Sequence, residues 1–95
     1  MILVKSETIQ EYVEKGWWSE QTIGDLFLHW ADRRASELAV LDPPNQFEIC
    51  GCPPQQWTWH ELLGQVGRYA ALLSSQGLRK DDILVMQLPN SVEQH

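Results

Sequence analysis

Ile83, Leu84, Val85 and Met86 are apolar at four successive positions, between the acidic pair Asp81-Asp82 and the breaker Pro89-Asn90. Side chains alternate between the two faces of a strand, so a strand apolar at every position needs cover on both sides. That is the pattern of an interior strand in a sheet layered by helices on both faces. Ser91 then reads as a helix cap, four residues before the last residue of the sequence. One small domain is the most that 95 residues can form. The rest of the sequence offers about three helices and a few short strands, fewer than a useful two-sided sheet requires. The run at 83–86 therefore points to an α/β protein larger than these residues.

The remaining elements follow from spacing. Residues 6–15 place Ile9, Tyr12 and Val13 at helical spacing among charges, with Gly16 as the stop. The paired Trp17 and Trp18 are expected to anchor this segment on the body of the protein. Thr22 with Asp25 is a variant of the capping box, and Ile23, Leu26, Phe27, Trp30 and Ala31 form one helix face behind it. Leu38–Leu41 reads as a short strand and Asp42-Pro43-Pro44-Asn45 as a turn. Phe47-Glu48-Ile49 alternates as a half-exposed strand does. Gln56 to Trp59 begins extended and pairs back. Thr58 with Glu61 is a full capping box for a helix whose stripe is Leu62, Val66, Tyr69, Ala70 and Leu73, ending at Gly77.

Composition narrows the function classes. At 43% hydrophobic and 21% charged, the chain is globular in type. A net charge of −6 with only seven Lys and Arg argues against nucleic acid and anionic membrane surfaces. No apolar run approaches the length of a membrane span. The start lacks the basic flank and long apolar core of a secretory signal, so the expected location is soluble and cytoplasmic.

Candidate chemistry is sparse. Cys50-Gly51-Cys52 could give half of a zinc or iron–sulfur site, yet His29, His60 and His95 show no ligand spacing beside it, and two reduced loop cysteines are expected. His29 has no partner acid or nucleophile in view. Glu61 is accounted for by its cap. Gly64 and Gly67 fall inside a helical stripe, and no three of the six glycines cluster as a phosphate loop. Lys80 belongs to a solvated turn.

The order of motifs carries a resemblance. Tyr12 to Trp18 is followed by Thr22-Ile23-Gly24-Asp25-Leu26 and Ala39-Val40-Leu41. Trp57-Thr58-Trp59-His60-Glu61-Leu62 leads to Arg68-Tyr69-Ala70-Ala71-Leu72-Leu73. Gly77-Leu78-Arg79-Lys80-Asp81-Asp82 leads to Gln87-Leu88-Pro89-Asn90. Roughly residues 10–94 thereby resemble the extreme N-terminus of the AMP-forming acyl- and aryl-CoA synthetases, the adenylate-forming ligase superfamily. Trp59 stands in place of the family's usual Tyr, Asp81 in place of a Gly, and Ser36-Glu37 in place of Pro-Asp. The opening resembles bacterial aryl- and alicyclic-acid ligases more than short-chain ones.

The resemblance implies the incomplete start of a large N-terminal α/β domain. It also implies a parent reaction in which a carboxylate attacks the α-phosphate of Mg-ATP and coenzyme A then takes the acyl group, in fatty- or aromatic-acid metabolism. ATP, Mg²⁺ and coenzyme A would belong to that parent. The phosphate loop and the C-terminal lysine of the family match nothing here, so no catalytic, cofactor-binding or metal residue is carried onto this chain, and residues 1–95 are expected to be inactive alone. The expected partner is the remainder of such a ligase, with self-association in its absence. A standalone α/β interaction module, using an exposed sheet edge for strand addition, stays open beside it.

Overall fold

A computed structural model describes residues 3–89, 91 and 92. Four helices and a two-stranded sheet follow in the order α1 (Ser6–Glu14), α2 (Ile23–Arg33), β1 (Leu38–Leu41), α3 (Gln46–Cys50), β2 (Gln56–Thr58) and α4 (Trp59–Ser75). The strands pair antiparallel, Leu38 with Thr58, Val40 with Trp57 and Leu41 with Gln56, with an irregularity between Leu38 and Val40. Helix α4 packs on both strands and on α2. Phe27 of α2 meets Trp59 at the start of α4, ring centroids 5.9 Å apart.

The helix ends are set by local chemistry. In both capping boxes the threonine hydroxyl accepts the backbone N–H three residues on, Asp25 N at 3.1 Å and Glu61 N at 3.2 Å. The acid returns the favour, accepting the backbone N–H of Thr22 or Thr58 at 2.8 Å. The carbonyls of Glu37 and Ala35 accept the N–H groups of Trp59 and His60, so the loop before β1 also satisfies the first turn of α4.

Helices α1 and α4 both stop on a left-handed glycine, Gly16 at φ 71° and Gly77 at φ 92°. In each, the residue after the glycine donates back across the last turn, Trp17 to Tyr12 at 2.9 Å and Leu78 to Leu73 at 3.1 Å. This is the Schellman pattern, in which a hydrophobic contact accompanies the hydrogen bonds. At α1 that contact is Tyr12 against Trp17, with Trp18 edge-on to the same ring at 5.0 Å. The tryptophan pair therefore closes the end of its own helix, and Trp17 stays 65% exposed; the expected anchoring on the body of the protein is not what the structure has.

The Thr22–Asp25 cap carries a pH signature. The hydrogen bond from the Thr22 backbone N–H, and then that from its hydroxyl, hold the Asp25 carboxyl below the ordinary carboxylate range. A carboxylate lowered on folding contributes stability above the unfolded value, about 3.9, and loses it as pH falls through the lowered one. The Thr22 amide proton should report that titration by NMR; a midpoint at the ordinary aspartate value would contradict the cap.

Two expected strands are corrected. Residues 47–49 lie in α3, not in a strand. A three-residue alternation does not separate strand from helix. No neighbouring strand is placed to pair with them, whereas one helical turn closes its own bonds: Glu48 and Ile49 donate to the Asn45 carbonyl, and left-handed Gly51 donates to Phe47. Residues 83–86 form no strand either, and among the described residues no backbone hydrogen bond ties 83–88 to anything. A strand exists only with a partner, and β1 and β2 take each other. The expected three helices are four among the described residues. The helix expected after the Ser91 cap would start at Val92, and its further residues, 93–95, lie outside the described residues, as does Asn90.

Little of the chain is covered. Among the described residues the buried apolar side chains are Ala31, Leu62 and Val92. Its accessible surface is 8152 Å², against about 5,600 Å² for a compact monomer of this mass. Its radius of gyration is 17.0 Å, against about 12 Å for a compact chain of this length.

Candidate functional site

The apolar stripe of α4 does not end in solvent alone. Leu62, Val66, Tyr69 and Leu73, spaced by three or four residues, form one wall of an open cleft of about 570 Å³. Leu84, Met86 and Leu88 form the other, with Val92 and Trp57 closing it. Alternate residues of an extended segment share a face. The even-numbered side chains of 84–88 therefore look into the cleft, and Ile83 and Val85 look away, 77% and 85% exposed. The two-faced apolar pattern is realised, with α4 on one side and the other side exposed among the described residues.

Chemically the cleft is plain. Its polar groups are the Gln65 amide, the Tyr69 hydroxyl and the Trp57 indole N–H, and no carboxylate, histidine, thiol or cationic side chain is among its lining residues. Such a surface can exclude water against another apolar element; it cannot activate a phosphate or a carboxylate. Leu84, Met86 and Leu88 remain 50%, 61% and 48% exposed even with the cleft formed, so much of their burial energy is unrealised.

The polar counterpart lies where the chain passes Pro89. Asp42, 4% exposed, directly follows β1. Its Oδ1 accepts the backbone N–H of Val92 at 2.7 Å and its Oδ2 that of Gln55 at 2.8 Å. One carboxylate thus ties the segment after Pro89 to the sheet. Next to it is a pocket of about 230 Å³ lined by Asp42, Gln46, Cys50, Cys52 and Ser91, among others. Gln46 is 2% exposed; its Nε2 donates to Cys50 Sγ at 3.3 Å, and its Oε1 has no partner. Sequence reasoning passed over Asp42 and Gln46, reading the first as turn composition. The partners of Asp42 lie 13 and 50 residues away, so no local pattern marks it, and the nearby contact of Gln46 with Cys50 has no sequence signature of its own.

The residues weighed from sequence do not converge. Cys50 ends α3 and Cys52 follows it, both exposed thiols. His29 packs edge-on against Trp30, and His60 lies in the first turn of α4. Glu61 completes its cap, and Gly64 and Gly67 lie within α4. Lys80 is in a reverse turn closed by Asp82 N–H to the Arg79 carbonyl at 3.1 Å, whose next residue, Asp81, has φ 72°. That is the left-handed conformation glycine favours, at the position where the resemblance expects glycine. Among the described residues no three of His, Cys, Asp and Glu converge as a metal site, and no helix is long and apolar enough to cross a membrane.

No protein-family model matches the chain, and no solved structure matches it significantly. Curated relatives do. The chain is similar to the 2,3-dihydroxybenzoate-AMP ligase of Bacillus subtilis (strain 168), 29% identical over 87 residues. It is also similar to the salicylyl-CoA synthase / salicylate adenylyltransferase of a Streptomyces species, 26% identical over 87 residues. Each match covers 92% of this chain and 14% of the relative, so the chain spans about a seventh of the length of the proteins it matches. The likeness fits a fragment of an adenylate-forming enzyme.

Proposed function

We propose that this chain is the N-terminal segment of an ATP-dependent acyl- or aryl-acid ligase, which activates a carboxylic acid as its adenylate and passes the acyl group to coenzyme A. In that role the segment is structural. It supplies α4 and the 83–88 segment to the large domain, where that segment gains strand partners, and its cleft and the outer face of 83–88 are covered by the rest of the polypeptide. The observation that carries the reading is the similarity to two aryl-acid adenylating enzymes along 92% of the chain. The uncovered surface supports it: the excess over a compact monomer is about 2,500 Å², the size of a large obligate interface. ATP, Mg²⁺ and coenzyme A are bound by the parent and not by these residues. An aromatic acid is the favoured substrate class, and the cytoplasm, which supplies ATP and coenzyme A, the place of action.

The test is a chimera. The 87 matching residues of the Bacillus subtilis ligase are replaced by those of this chain, and acid-dependent ATP–pyrophosphate exchange is measured. The chimera should retain 2,3-dihydroxybenzoate-dependent exchange. The chain alone should show none with any aromatic or fatty acid, because adenylation needs about 8 kcal/mol or more of catalysis and nothing here stabilises a phosphate. A chimera without exchange overturns the segment reading; turnover by the chain alone overturns its structural role.

A further inference from the structure

The polar pocket beside Asp42 holds a second feature. Cys50 and Cys52 are exposed thiols on either side of Gly51, which takes φ 75°. A turned backbone sets residues two apart at roughly 5.5 Å between Cα atoms, within the span of a disulfide. Both cysteines line the pocket whose other walls include Asp42 and Ser91. In the dithiol state Cys50 Sγ accepts from Gln46 Nε2 at 3.3 Å and its S–H donates to the Gln46 carbonyl at 3.4 Å. Gln46 Oε1, buried on the same side chain, has no partner. Cys50 is therefore held by two weak sulfur contacts, beside a buried acceptor that is unmet. Closing a disulfide removes the S–H donor from the Gln46 carbonyl, beside the wall that Asp42 shares.

We propose that Cys50 and Cys52 are a reversible thiol–disulfide pair, and that its state sets how firmly Asp42 holds the chain at Gln55 and Val92. The oxidant is a low-molecular-weight disulfide such as oxidised glutathione. One cysteine thiolate attacks a sulfur of the oxidant, its S–S bond breaks and the first glutathione leaves as a thiol. The second cysteine attacks the resulting mixed disulfide, the Cys50–Cys52 bond forms and the second glutathione leaves. Two electrons pass from the pair to the oxidant, and the two cysteine protons end on the two released thiols.

The experiment incubates the 95-residue protein in buffers of graded reduced-to-oxidised glutathione ratio, with mass analysis after acid quench. Wild type should lose two hydrogens and keep no glutathione, whereas Cys50→Ser and Cys52→Ser should each stop at a retained glutathione adduct. In parallel, amide exchange at Gln55 and Val92 should quicken about fivefold or more on closure, the scale of one lost hydrogen bond. The double variant Cys50→Ser/Cys52→Ser should show no change with the same oxidant. A wild type that stalls at the adduct overturns the pair. Closure with unchanged exchange at Gln55 and Val92, or exchange there already unprotected in the dithiol state, overturns the link to Asp42.

Discussion

Val85→Asp should leave the isolated chain almost unchanged and should destroy the chimera with the Bacillus subtilis ligase. Val85 is 85% exposed and points away from α4, so in the chain alone the new carboxylate meets water. Surface changes of this kind shift stability by about 0.5 kcal/mol or less. In the chimera, that same face is expected to lie against further protein. An unpaired carboxylate buried there costs about 3–5 kcal/mol, much of the 5–15 kcal/mol that holds a typical domain together. Urea denaturation of both proteins, followed by circular dichroism, reads the contrast. A variant chimera as stable as its parent would mean that nothing covers this face.

Asp42→Ala is expected to abolish cooperative unfolding of the isolated chain. The side chain is 4% exposed and accepts two backbone N–H groups, from residues 13 and 50 positions away in sequence. Hydrogen bonds to a charged acceptor contribute about 1.5–3 kcal/mol each, and removing the acceptor strands both donors. The buried apolar side chains, Ala31, Leu62 and Val92, offer little to offset such a loss. Val92 is also the residue that Asp42 holds, so removing the carboxylate releases part of the core. Asp42→Asn keeps one carbonyl oxygen and should fall between the two. Retention of the wild-type transition by Asp42→Ala would show that the contact is incidental.

What could be read from the sequence was what is decided within a few residues. Both capping boxes need partners three positions apart, and both are formed. Gly16 and Gly77 end their helices by bonds that span one turn. Asp81, noted as standing where a glycine is expected, does adopt a left-handed backbone. The misses are decisions that rest on distant groups. Phe47-Glu48-Ile49 has the alternation of a strand, yet no strand lies beside it, and Asn45 and Gly51 bracket a single helical turn instead. Ile83 to Met86 has the composition of an interior strand, but composition cannot supply the neighbour whose hydrogen bonds make one. Trp17 and Trp18 found a nearer partner, Tyr12, than the body of the protein. The cleft was half legible: the α4 stripe followed from spacing, while its opposite wall required knowing that 84–88 folds back along that helix.

Residues 83–88 should become a strand only where other protein supplies the hydrogen-bonding neighbours that β1 and β2 do not. Amide hydrogen exchange across 83–88 tests it most directly, in the isolated chain and in the chimera. Exchange at these amides should be nearly unprotected in the isolated chain, with the middle of α4 exchanging far more slowly, and strongly protected at 83–88 once the segment sits in the ligase. Strong, uniform protection across 83–88 in a monomer of the isolated chain would contradict it.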